Sequence, residues 1–428
     1  MYRTLVLSCV ALSMAILSAS QSRGDDVVVV LAKMIITVSG KPIENGAILC
    51  KAGKIVSVGE SSSFTIPAGA IIKEASVVIP GLIDVRTCVG LSGIFNVEHD
   101  SDQLESSSPL QPELRAKDAY NPGEELVAYI RSFGVTTIHT GHAPGELISG
   151  QTIVTKTVGN SVEESLIVDG RAICATLGES SQKSGKQSPG TRAKQMAMLR
   201  ALMFEAIEYR TKTTKKTKET SDKESEDKES EDKEPADDAI ARNLRLETLV
   251  EVLDGKKALL ITADRAQDIA TALRFASEFG ISIWLDSAAE ANQMIPQIKE
   301  AKATVLLHPS MARSSGERES LSFQTASMLQ KNGIPFAIQG GFEAYVPKVR
   351  VVLFEAAIAA AHGLTRDEAI ESITLSPAKI LGIADRVGSI EIGKDADLAL
   401  YDGDPLEYTT HCIGVVVNGK VYDGEASD

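Results

Sequence analysis

The stretch Val78-Ile79-Pro80-Gly81-Leu82-Ile83-Asp84-Val85-Arg86-Thr87-Cys88-Val89-Gly90 places a short apolar run directly after a Pro-Gly turn and ends it on an arginine, a threonine and a cysteine. Branched residues bounded by turn residues read as a β-strand, and the polar end is where a strand delivers side chains to a site. The same design recurs downstream in GVTTIHT, ALLITA, ISIWLDS, ATVLLHP and PFAIQGG. Segments with helical spacing, AQDIATALRFASEFG and RDEAIESITLSPAKILG, lie between or after them. Strand and helix alternating over about 300 residues predict a parallel α/β architecture, either a barrel or a doubly wound sheet.

The two ends of the 428-residue chain differ from this middle. Residues 27–79 and the C-terminal GSIEIGKDADLALYDGD and CIGVVVNGKVYDG read as short strands broken by turns, with Asn418-Gly419 a hairpin signal. They predict one small β-sandwich domain built from both termini, residues 21–79 and 386–428, beside a barrel over residues 80–385. Residues 211–238 carry a DKESE repeat and no apolar side chain but Ala236. Such a segment buries too little to offset the entropy of ordering, so it reads as a disordered charged insert, with a solvated single helix as the alternative.

The formal net charge is −14, which argues against a nucleic-acid partner. Eleven acidic residues against three lysines between Glu219 and Asp238 account for −8 of it, so the remainder of the chain is mildly acidic. The N-terminus, with Arg3, an apolar run from Leu5 to Leu17 and then Ser18-Ala19-Ser20, reads as a signal peptide over residues 1–20. The run is shorter than the roughly 20 residues a spanning helix needs, so the expectation is an exported protein, periplasmic or secreted, with no membrane span in the mature chain. Cys50, Cys88, Cys174 and Cys412 show no Cys-x-x-Cys pair, and the sequence leaves their pairing open.

The series VVIPGLIDVRT, SFGVTTIHTG, ISGQTIVTKT, LLITADRAQDIATALRFASEFGI and, most specifically, SPAKILGIADRVGSIEIGKDADLALYDGDP (residues 376–405) resembles the amidohydrolase superfamily, closest to its imidazolonepropionase-like branch. The resemblance runs from about residue 27 to 423, outside the charged insert. It implies a (β/α)8 TIM barrel, a two-termini β-sandwich, and hydrolysis of non-peptide carbon–nitrogen bonds. One or two divalent metals such as zinc activate the water in that family, since coordination brings its pKa near neutrality.

Position by position, the ligands that the resemblance implies are replaced. The first-strand His-x-His aligns with Arg86-Thr87-Cys88, and a guanidinium repels a divalent ion. Thr262 and Asp264 stand at the strand-five histidines, Ser287 at the strand-six histidine, Gly341 at the strand-eight aspartate, and Cys174 at a lysine of this branch. The expectation is therefore an emptied mouth with no cofactor, in a pseudoenzyme that binds a small-molecule or anionic ligand or a partner, with room for a homo-oligomer. An internal salt bridge from Arg86 to Asp264, Asp286 or Glu343 is the plain alternative to an anionic ligand.

His139, His142, Lys156 and His308 are the remaining candidate mouth residues. With Glu98, Asp100 or Asp264 the histidines could form a relocated metal site, and the plain reading makes them rim residues bonded to loops. Lys156 reads better as a snorkelling strand end than as a mouth lysine. Cys88 beside Arg86 could be a nucleophile or a small buried thiol. Two further functional readings follow: an active hydrolase with a relocated or metal-free mechanism, and an interaction protein working through the charged insert.

Overall fold

The computed structural model describes residues 27–95, 97–226, 240–308, 314–341 and 349–424; the expected signal peptide and the second half of the charged insert lie outside the described residues. The N-terminal strands are β1 (Val28–Ile35), β2 (Ile43–Lys51), β3 (Lys54–Glu60) and β4 (Ile71–Pro80). Eight more follow: β5 (Leu82–Thr87), β6 (Val135–Gly141), β7 (Ile148–Lys156), β8 (Leu166–Thr176), β9 (Ala258–Thr262), β10 (Ile283–Ser287), β11 (Thr304–Leu307) and β12 (Phe336–Ile338). The chain then returns through β13 (Leu398–Tyr401), β14 (Cys412–Val417) and β15 (Lys420–Asp423).

Strands β5 to β12 form one eight-stranded sheet in sequence order, curled into a TIM-barrel fold. The remaining seven form a second sheet in the order β15-β14-β13-β4-β1-β2-β3, so both termini do meet in one layer. Alternate barrel residues, among them Ile83, Val85, Ala172, Cys174, Ala258, Leu260, Trp284, Leu306 and Ala337, form a buried interior cluster. Leu381, Ile383 and Val387, after the last strand, pack on it. That packing lies near the strand starts, where Arg171 donates to the carbonyls of Ile380 and Leu381 at 2.9 Å each.

Two expectations need correction. The alternation predicted all-parallel strands, yet β7 runs antiparallel to both β6 and β8. Only residues 142–147 connect β6 to β7, and a parallel crossover needs a dozen residues or more. Residues 211–226, expected to be disordered, continue the helix Arg192–Glu226. The helix is anchored by buried Leu199, Leu202, Met203 and Ala206, and the lysines and glutamates beyond are good helix formers, so the helix extends past its packed part.

The reversal of β7 relocates Lys156. Its strand end lies at the base of the barrel, where Lys156 pairs with Asp397 and with Asp395 at 3.1 Å, and it is fully buried. It is neither a mouth residue nor a snorkelling one. Asp395 also receives Lys54 at 2.7 Å and Arg386 at 2.9 Å, and Asp397 accepts from the backbone N–H of Asn418, so this cluster bolts the barrel to the terminal sheet. Removing Lys156 leaves the buried Asp397 without a cationic partner, while Asp395 keeps Lys54 and Arg386; Lys54 itself is half exposed. Lys156→Met is expected to cost about 3–5 kcal/mol and Lys54→Met under about 1 kcal/mol in urea denaturation.

Candidate functional site

At the end of β5 the pairing with β6 slips, with three steps on β5 between Asp84 and Thr87 matched by two on β6. This irregularity accompanies a change in what the strand presents. Ile83 and Val85 pack in the interior cluster, and the next residue, Arg86, is also buried among charged and polar groups. The Arg86 guanidinium donates Nε to Asp286 Oδ2 at 3.4 Å, Nη1 to the Thr87 carbonyl at 3.2 Å and Nη2 to the His142 carbonyl at 2.6 Å. It thereby ties β5, the β6–β7 connection and β10 together.

Asp286 has its oxygens occupied. Oδ2 accepts the Thr262 hydroxyl at 2.6 Å as well as Arg86, and Oδ1 accepts the Gln339 amide at 2.8 Å. Gln339 donates also to the Leu306 carbonyl at 2.8 Å. Across the seam between first and last strands, Asp84 accepts from the Arg86 N–H and the Gly340 N–H, both at 3.0 Å. Arg86, Thr262, Asp286, Gln339 and Asp84 thus form one buried polar network across the end of the barrel, with each side chain partnered inside it. Of the sequence-predicted positions, Arg86 and Thr262 lie in this network, and the plain alternative for Arg86 holds with Asp286 as its partner. Glu343 lies outside the described residues.

The other predicted positions are placed around it. Asp264 accepts the Ser287 hydroxyl and, at 3.0 Å, Arg318 Nε, so these two predicted positions pair with each other and not with the Asp286 carboxylate. Ser287 and Ala288 adopt positive φ, +68° and +52°, a backbone that non-glycine residues rarely take. Gly341 is buried at φ +78°. His308 ends β11, its N–H bonded to the Ser287 carbonyl at 2.7 Å.

His139 is consumed by the scaffold. Its Nδ1 donates to the Val85 carbonyl at 2.7 Å, which leaves Nε2 to accept from the Thr152 hydroxyl at 2.6 Å, and its ring meets Trp284 edge-on. His142 packs over Gly150, whose φ of +133° and missing Cβ both make room for the ring. Its ring nitrogens have no partner among the described residues.

Burial sets the electrostatics. It drives His139 down to about 3 and His142 to about 4, with Arg86 adding to both, so both imidazoles are neutral at pH 7. Burial pushes the Cys88 thiol up to about 12, outweighing the Arg86 charge that would favour a thiolate, and raises Cys174 as well. The nucleophile reading of Cys88 therefore fails on desolvation, and a small buried thiol is what the fold holds. With both thiols protonated, Asp286 is the counter-charge to Arg86. All four cysteines from Cys50 onward are free thiols.

A divalent ion does not fit these residues. Among the described residues no three His, Cys, Asp or Glu side chains converge in a way that could hold a metal, and a cation beside Asp286 would meet the guanidinium. Neither the first-strand position nor the histidines with Glu98, Asp100 or Asp264 supply a donor set. The residues that the sequence reading missed are Asp84 and Gln339. Both sit in quoted segments, Asp84 on the first barrel strand and Gln339 just past the end of the last, and it is the closure of the barrel that brings these two ends together.

The sequence model of the Amidohydrolase family matches residues 230–424. The amidohydrolase tasK of Hapsidospora irregularis is 23% identical over 401 residues, 87% of this chain; the match spans 39% of that relative's length. The imidazolonepropionase of Shewanella baltica strain OS185 is 47% identical over 64 residues, 14% of this chain and 16% of the relative. The crystal structure of an amidohydrolase from Thermotoga maritima superposes with a TM-score of 0.81 at 26% identity, over 92% of this chain and all of that one.

Two outcomes are expected in urea denaturation followed by Trp284, the single tryptophan, which lies in the barrel interior. Arg86→Met leaves Asp286 buried and uncompensated and costs about 3–5 kcal/mol, and adding Asp286→Leu recovers part of that loss. Stability also falls as pH drops from 6.5 to about 4.5. The histidines take protons in the unfolded chain from 6.5 downward but in the fold only near 3 and 4, so their contribution is present above 6.5 and lost on acidification. Asp84, raised by burial from 3.8 to about 7, acts the other way: its contribution is present below 3.8 and lost as pH rises through about 7. Two groups outweigh one, and His139→Gln flattens the slope.

Proposed function

We propose that this chain, which belongs to the amidohydrolase superfamily, has given up metal-dependent hydrolysis and acts by binding a ligand or partner without turning it over. The observation that carries the reading is the Arg86–Asp286 pair at 3.4 Å, both side chains buried, with Thr262 and Gln339 occupying the remaining carboxylate positions. A hydrolase of this family needs a polarised water at the C-terminal end of the strands, and the groups there are turned on one another. Neutral His139 has both nitrogens engaged, and Cys88 is a protonated thiol. Fold likeness to hydrolases is inheritance of a scaffold, and function belongs to the site.

Export is part of the same proposal and rests on the apolar run from Leu5 to Leu17 followed by small residues. No helix among the described residues is long and apolar enough to cross a membrane.

Elemental analysis tests the central reading. Protein purified without chelator and dialysed against metal-free buffer is expected to carry less than about 0.1 equivalent of zinc, manganese or iron per chain. One equivalent that survives dialysis and is lost in Asp286→Asn contradicts it.

A further inference from the structure

On the rim of the barrel, the connections after β8, β9 and β11 enclose a cleft of about 370 Å³, separate from the Arg86 network. Its charged and polar lining is Glu179, Gln182, Arg192, Arg265, Glu317 and Glu319. That volume is at the small end for a ligand site, and among the described residues the lining carries no apolar side chain, which points to a small charged molecule.

The floor is pre-set. Arg192 is held by Asp268 through two bonds of 2.8 and 3.0 Å and by Glu317. Glu317 reaches across to accept from the Glu179 N–H at 2.9 Å, and it can do so because residue 178 is glycine: a Cβ there would stand 2.5 Å from its carboxylate. The remaining groups are not committed in this way. Arg265 has Glu319 at 3.5 Å, with both side chains substantially exposed, a pair that contributes little and yields readily. The Glu179 carboxylate and the Gln182 amide are accessible groups of the wall.

We infer that this rim cleft binds a small zwitterion, with Arg265 taking its carboxylate in a two-pronged contact and Glu179 its ammonium. A lone anion would face three glutamates, and a lone cation would gain nothing from Arg265; a molecule carrying both charges meets Glu179 at one end and, as Glu319 yields, Arg265 at the other. Gln182 supplies neutral hydrogen bonding between the two ends. The inference stands apart from the proposed loss of hydrolysis, because binding here is read without turnover and without metal.

Saturation-transfer NMR titrations of the full chain test it, with L-glutamine as the zwitterion and acetate and ethylammonium as its separate halves. L-glutamine is expected to saturate below about 10 mM, with each half about tenfold weaker or worse. Arg265→Gln and Glu179→Gln each weaken L-glutamine about tenfold while the melting temperature stays put, both residues being surface groups. Acetate or ethylammonium binding as tightly as L-glutamine, no saturation in that range, or undiminished binding in Arg265→Gln overturns the inference.

Discussion

The buried contact between Arg86 and Asp286 is the constraint from which the rest of the mouth follows. A guanidinium removed from water needs a counter-charge and a full set of acceptors, and the fold supplies them as Asp286 and the carbonyls of Thr87 and His142. Asp286 in turn needs donors for its remaining lone pairs, and Thr262 and Gln339 are those donors. Asp84 then closes the seam between the first and last strands by accepting from two backbone N–H groups. Each residue answers a requirement set by its neighbour, and what results is a cross-brace between strands at the end of the barrel.

The base of the barrel is organised on the same principle. There a buried cation, Lys156, sits between two carboxylates, and the cluster joins the barrel to the sheet of the termini. Buried ionic groups of this kind add little net stability over apolar packing, but they are unforgiving of loss, and they fix which strand ends meet. The barrel is thus held at both ends by ion pairs around an apolar interior of Leu260, Trp284 and Leu306.

Much of this was legible in the sequence, for identifiable reasons. The apolar runs with polar ends gave the barrel strands, and the two β-rich termini gave the second sheet, because period and turn chemistry are local signals. Arg86 and Thr262 stood out because they sit at positions of fixed spacing in the resemblance, and Asp286 was one of three acidic residues, with Asp264 and Glu343, that charge alone offered as partners of Arg86. The reversal of β7 was hidden, since fully buried strands show no alternation to reveal direction; Lys156 was misplaced with it. The charged helix beyond Thr211 stood only as the alternative to disorder because its order comes from the apolar anchor upstream and not from its own composition. Asp84 and Gln339 carry no motif of their own, and only the closure of the barrel brings them beside Asp286.

The measurement that bears most directly on the account is anomalous scattering at the zinc edge from crystals grown in excess zinc. The account predicts no peak within coordination distance of Asp84 or Asp286 and an Arg86 guanidinium still directed at Asp286. A peak bound by Asp286, with Arg86 swung away from it, would contradict it.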